Sequence, residues 1–173
     1  MNGFGTSPLE LMAADAMLKG LVYLDEFVYS ATWLTGTTTA LGASSTVDVQ
    51  VQINSDSDFI CTEMNLVAFS ALDTIIASPD YLLTIVRSGS GREIFNAAQH
   101  VQNICGNYAN GKVPGRMPIA SLYQGANNIT CRLQNRTVTA ANLVQLSFRG
   151  FKVFYQTNAQ GEVGTRTNIF HAL

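Results

Sequence analysis

From Val47 to Ile53 the chain alternates, with Val47, Val49, Val51 and Ile53 interleaved with Asp48, Gln50 and Gln52. A period of two predicts a strand with one face against a core and the other in water. The pattern returns where Ile129, Cys131 and Leu133 alternate with Thr130, Arg132 and Gln134. It returns again where Val144, Leu146 and Phe148 alternate with Gln145, Ser147 and Arg149. Past Gly150 the apolar series resumes out of phase as Phe151, Val153 and Tyr155, which predicts a bulge or bend at the glycine. Further strands are predicted over 27–34, 59–69, 81–87, 92–96 and 117–122. Turn-forming clusters separate them at 35–45, 54–58, 77–80, 88–91, 106–115 and 135–142. Eight or nine short strands at such spacing predict a mainly β fold, an antiparallel jelly roll or β-sandwich of about eight strands over residues 28–155. Strands and helices do not alternate, which argues against a parallel α/β sheet.

Residues 1–27 follow another rule. Ser7 as N-cap, Pro8 at the first helical position and Glu10 three residues after the cap form a helix-start signal, and Gly20 is placed to end the helix. Leu9, Leu11, Met12, Ala16, Met17, Leu18 and Leu21 leave this short helix apolar on more than one face. It therefore needs burial on several sides, against its own domain or a neighbour. The expectation is a docking or exchanged arm whose removal leaves the sandwich folded. Residues 156–173, polar and carrying Gly161 and Gly164, read as an extended tail with Ile169 and Phe170 as an anchor on a neighbour.

Composition sharpens this picture. A chain of 173 residues has room for one domain with a substantial core. Hydrophobic residues make up 47% and charged residues 13%, about half the usual charged share, so part of the surface is expected to lie under another chain. The net charge is −2 and the ten basic residues are scattered from Lys19 to Arg166, which argues against nucleic acid as a ligand. Without an 18-residue apolar run or a basic segment leading into one, neither a membrane anchor nor a signal peptide is expected. Cys61, Cys105 and Cys131 have no metal-ligand spacing and read as reduced core thiols. Two glycosylation sequons, at Asn128 and Asn135, carry no weight without a secretion signal.

Tested for chemistry, the sequence offers little. Arg87-Ser88-Gly89-Ser90-Gly91-Arg92 has the glycines of a phosphate loop but no following lysine, and the chain runs on as strand rather than helix. It reads as a hairpin tip. A basic residue on either side, Arg87 and Arg92, makes it a candidate contact for an acidic patch on a partner. His100 and His171 have no carboxylate or cysteine at ligand spacing. Asp56-Ser57-Asp58 opens like a calcium loop but runs straight into a strand, so it reads as a turn with two solvated acids. Trp33 lies in an apolar strand and reads as core rather than as a sugar platform. The Gly- and Asn-rich stretch at 103–115 reads either as a binding loop or as an inter-strand crossover; as a binding loop it would offer Tyr108, Lys112 and Arg116 to a partner. No catalytic, metal or cofactor site is expected, and no small-molecule substrate.

One ordered series resembles a known group. Ser57-Asp58-Phe59-Ile60 leads into a strand, followed by Leu82-Leu83-Thr84-Ile85 and a Ser90-Gly91-Arg92-Glu93-Ile94-Phe95 turn. Then come Val113-Pro114-Gly115-Arg116-Met117-Pro118, Ile129-Thr130-Cys131-Arg132-Leu133-Gln134-Asn135 and the closing segment LVQLSFRGFK at 143–152. Over about residues 54–155 this resembles the small jelly-roll virion proteins that decorate or cement the heads of tailed bacteriophages. The resemblance implies a non-enzymatic structural protein of the phage head, made in the host cytoplasm. Its expected partners are the major capsid protein and copies of itself, as a homodimer or homotrimer. The residues expected to meet those partners are Phe4, Leu9, Leu11, Met12, Met17, Leu18, Arg87, Arg92, Tyr108, Lys112 and Phe170. The alternatives are a carbohydrate- or receptor-binding sandwich, a head–tail or tail component and, last, an enzyme.

Overall fold

The computed structural model describes residues 7–87, 91–105 and 115–170. In chain order the elements are α1 (Pro8–Leu18), β1 (Val22–Leu34), β2 (Thr46–Gln52), β3 (Asp58–Ser70), β4 (Tyr81–Arg87), β5 (Arg92–Glu93) and β6 (Gln99–His100). They continue with α2 (Val101–Ile104), β7 (Gly115–Tyr123), β8 (Asn128–Asn135), β9 (Ala141–Tyr155) and α3 (Thr167–Phe170). One sheet, A, has the order β1-β9-β3-β7; the other, B, has the order β2-β8-β4-β5. β5 pairs with Val86 and Arg87, and β6 with Leu82 and Leu83, so the two short pieces share one edge of β4 and fill a single strand position. Eight antiparallel positions result. Every consecutive connection crosses between the sheets except the one from β4 to β5 and β6, which is the jelly-roll winding.

The alternation seen in the sequence builds the space between the sheets. Tyr29, Ala31 and Trp33 of β1, Val144, Leu146 and Phe148 of β9, and Phe59, Cys61, Met64, Leu66 and Ala68 of β3 meet the other sheet. There they find Leu83 and Ile85 of β4 and Ile129, Cys131 and Leu133 of β8. Trp33 is sealed in this core, and its indole Nε1 donates to the Val47 carbonyl of the other sheet at 3.1 Å, so the buried polar tip is satisfied. All three cysteines are buried and free, and burial pushes the Cys61 and Cys105 thiols up to about 12, which makes them inert core groups.

The expected bulge exists, but on the partner strand. β1 and β9 pair without a slip across Gly150, whereas β3 pairs Cys61 with Gly150 and Glu63 with Arg149, leaving Thr62 as the extra residue. Gly150 is glycine because β3 passes too close: a Cβ there would lie 1.8 Å from the Ile60 carbonyl oxygen.

α1 forms as expected. Ser7 Oγ accepts from Glu10 N at 3.3 Å and Glu10 Oε2 accepts from Ser7 N at 2.8 Å, a complete capping box. At its other end Leu21 N reaches Ala16 O, Gly20 N reaches Met17 O, and Gly20 adopts φ +68°, the left-handed C-terminal cap. The helix lies on the outer face of sheet A. Leu9, Ala13 and Ala16 pack on Leu21, Val22, Ile60, Ala120, Leu122 and Val153 in a second core. Residues 8–21 are thus part of their own domain rather than a free arm. Removing them would bare Ile60, Leu122 and Val153. Residues 22–27, assigned by pattern to the arm, belong to β1, since Val22 and Leu24 pair with Tyr155 and Val153 under the helix.

Residues 156–170 are not extended. Gln156 N donates to Leu21 O, Thr157 bridges to Val163, and Asn158 Oδ1 accepts from the Gln160 and Glu162 amides in the intervening turn. Gly164 is buried against Leu21, where a Cβ would come within 1.8 Å of its carbonyl oxygen, and α3 lies beside α1. The segment's many polar residues satisfy each other in a tight turn, which a reading of polarity as extension missed.

Candidate docking surface

A buried carboxylate fixes this returning segment. Asp58, the first residue of β3, is 2% exposed. Its oxygens accept from Arg166 Nε at 2.6 Å and Nη2 at 2.9 Å, from the Tyr155 hydroxyl at 2.7 Å and from Gly125 N at 2.8 Å. Burial pushes the Asp58 carboxyl up, but the bonds from Arg166, Gly125 and Tyr155, with the charge of Arg166, outweigh it and hold the group below its ordinary value. The Tyr155 phenol is pushed up by its own burial and by Asp58. The reading of Asp56 and Asp58 as two solvated acids is therefore wrong for Asp58. Its oxygens are filled by donors from three segments, and it anchors the C-terminal turn rather than offering itself to a cation. Asp56 faces Lys152 at 3.6 Å; Lys152 is itself buried, with Nζ 4.4 Å from the centre of the Phe27 ring.

α1 and the C-terminal turn are held at one end of the outer face of sheet A, and no other described residue covers the rest of it. Two adjoining hollows of about 390 Å³ each lie there. The first runs beside the bulge, between Val28, Thr62, Glu63, Arg149 and Phe151. The second runs under α1, between Ala13, Ala14, Met17, Leu24, Ile60 and Phe151, with Glu10 at its rim. Glu26 and Phe151 belong to both, so the hollows form one groove. Past Glu26 and a Glu63–Arg149 pair at 3.7 Å, with Arg116 opposite Glu63 in the register, the described positions Ser30, Thr32, Asn65, Val67, Gln145 and Ser147 carry no charge. Val28 is 49% exposed on it, and on the adjacent helix Leu11 and Leu18 are 58% and 84% exposed.

The expected interface residues divide. Leu11, Met17 and Leu18 are exposed on α1 beside the groove, and Met12 is half-buried. Leu9 is not available to a partner, because the first turn of α1 presses it into the second core. Arg87 is half-buried with its guanidinium 5.1 Å from the centre of the Tyr123 ring, so it lies against its own domain rather than reaching outward. Its Nε and the Tyr123 hydroxyl are buried without a hydrogen-bond partner among the described residues. Arg92 stands opposite Arg87 in the β4–β5 register, and Gly91 has φ +62°, so the flanks of the expected tip pair as a hairpin does. Phe4, Tyr108 and Lys112 lie outside the described residues, as do the side chains of Arg92 and of Phe170, whose backbone is in α3.

Several contributors escaped the sequence reading. Lys152 carried a signal, a charge on the inward phase of β9. Arg166 and Glu26 carried none, since what they do depends on distant segments. His100 acquires a carboxylate after all, its Nε2 lying 3.1 Å from Asp80 Oδ1. Its Nδ1 accepts from Gln102 N at 3.3 Å, which places the proton on Nε2 and makes the ring a cap for α2. Among the described residues no group of three or more His, Cys, Asp or Glu is arranged to hold a metal, and no helix is long and apolar enough to cross a membrane. No protein-family model, curated protein or solved structure matches the chain.

Proposed function

We propose that this chain is a non-enzymatic structural protein of a phage virion, which binds and stabilises the capsid lattice as decoration or cement proteins do. The observation that carries this reading is the outer face of sheet A, which the described residues leave largely uncovered. Its strands alternate toward the core as any sandwich strand does, yet beside Glu26, Glu63 and Arg149 the outward positions keep Val28, Leu34, Val67 and Phe151. Burying apolar surface contributes roughly 25 cal/mol per Å² before the cost of association, so a lattice contact on this face would contribute several kcal/mol per copy. The jelly-roll winding supports the reading as an architecture shared by many capsid domains. A sugar-binding module would draw on exposed aromatic platforms, and the only tryptophan, Trp33, is sealed in the core.

The test is co-sedimentation of the purified protein with assembled heads from the same source. Saturable pelleting is expected, reduced by Val28→Asp and accompanied by no response on a glycan array. A protein that stays in the supernatant at every head concentration, or that binds glycans, would remove the proposal.

A further inference from the structure

We infer that the groove on sheet A receives Leu18 and Lys19 of a second copy of this chain, so that two copies exchange these residues about a two-fold axis. The inference rests on the structural reading above and on the expectation that copies of the chain associate, and it names the surface they use.

The argument begins with what the groove lacks. Ala13 and Ala14 present only methyl groups at its α1 wall, and Met17, Leu24, Ile60 and Phe151 complete an apolar hollow of about 390 Å³. Among the described lining residues three carboxylates, Glu10, Glu26 and Glu63, stand with one guanidinium, Arg149; Arg116, whose side chain lies outside the described residues, is opposite Glu63 in the β3–β7 register. Glu63 is paired with Arg149, and Glu10 is engaged in the capping box. Glu26, where the two hollows join, has no ion-pair partner among the described residues. An occupant that fits must therefore bring an apolar side chain with a cation beside it. An acidic segment or an anionic bilayer would be repelled.

The chain carries that combination on the same surface. Leu18, the last residue of α1, is 84% exposed, and the next residue is Lys19, whose ammonium is exposed and bonded to Asp15 one turn back, at 2.6 Å. Such an exposed pair exchanges partners at little cost. Knob and groove share the C-terminal end of α1, since Met17 lines the hollow and Leu18 follows it. A two-fold axis near this helix end therefore sets each copy's Leu18 toward the other's hollow and each Lys19 toward the other's Glu26. The contact is self-complementary and closes as a dimer. The Schellman cap at Gly20 fixes where the helix stops, and so where the knob stands.

The experiment is sedimentation equilibrium on the full chain, with head co-sedimentation run in parallel. The wild type is expected to dimerise reversibly. Leu18→Glu and Ala14→Trp are each expected to raise the dissociation constant about tenfold or more, with circular dichroism unchanged because neither side chain is buried. Lys19→Glu and Glu26→Lys are each expected to weaken the dimer, and the double variant to restore it. A wild type that is monomeric throughout, or a dimer indifferent to both Leu18→Glu and Ala14→Trp, overturns the proposal. Failure of the charge swap to restore association overturns the Lys19–Glu26 pairing. If Ala14→Trp blocks pelleting with heads while the wild type is a monomer, the groove serves another chain and self-docking is overturned. A wild type that dimerises as described but never pellets removes the capsid reading and leaves this one standing.

Discussion

The two outward faces of the sandwich obey the same alternation with different results. On sheet B, Asp48, Gln50, Thr130, Arg132 and Gln134 stand outward, and Arg132 forks onto Asp48 through Nε at 2.8 Å and Nη2 at 2.9 Å. Beside them Leu82 and Val86 of β4 stand half-buried on the same face. On sheet A the outward positions are half apolar, a helix covers one end, and the remainder is a groove. The two faces differ less in charge than in shape: Glu26, Glu63 and Arg149 stand on sheet A as Asp48 and Arg132 do on sheet B, and what sheet A adds is the groove and the exposed side chains of Val28 and Leu34.

The largest expected effect lies beneath the groove. Gly150→Ala forces a methyl group into the Ile60 carbonyl across a sheet ladder that cannot retreat. It should cost about 3 kcal/mol or more, read as a large drop in the urea midpoint or loss of soluble protein. A midpoint equal to wild type would mean that β3 does not approach β9 as described, and the bulge beside the groove would go with it.

The intermediate effect tests what holds the covered end. Asp58→Asn removes the charge and turns one of the two oxygens shared by Arg166, Tyr155 and Gly125 into an NH2 donor, so the donors on that oxygen lose their acceptor. It should cost about 1–2 kcal/mol at neutral pH, toward the low end because the Arg166 side chain is half exposed. Cleavage by trypsin after Arg166 should accelerate. Because the folded carboxyl titrates below its unfolded value of about 3.9, its contribution is complete above that value and disappears as pH falls through the lower, folded one. Wild-type stability should therefore fall with acid in this range more steeply than that of the Asn variant. Parallel acid profiles would show that the clasp contributes nothing.

The smallest effect belongs to the other face. Asp48→Ala breaks the Arg132 fork, yet both side chains are about half exposed, so the urea midpoint and head co-sedimentation should stay where they were. A clear loss of pelleting would move the docking surface to sheet B.

How much of this was legible in the sequence follows from how local each cause is. Alternation at 47–53 and 129–134 gave β2 and β8 because a half-wet strand writes its faces into successive residues. The helix start at Ser7 and its end at Gly20 were equally readable, being set by a few neighbouring backbone groups. The phase change near Gly150 was visible, but only pairing could assign the extra residue to Thr62. Asp58 shows the limit most plainly: next to Asp56 it reads as a solvated turn, and only Arg166, more than a hundred residues away, makes it a buried anchor. The groove was illegible for the same reason, since Ala14, Glu26 and Phe151 come from three separate elements.

The position of β9 has a consequence for how the molecule is made. The last long strand sits between β1 and β3, pairing Val22 with Tyr155 at one end and Leu34 with Leu143 at the other. Until residues 141–155 have left the ribosome, two strands of sheet A have no central neighbour and the site where α1 docks lacks Val153. Folding is therefore a late event dominated by pairings distant in sequence, and slow by that measure. A chain cut before Ala141 is not a smaller jelly roll. It is a set of unpaired apolar edges, of the kind that aggregates.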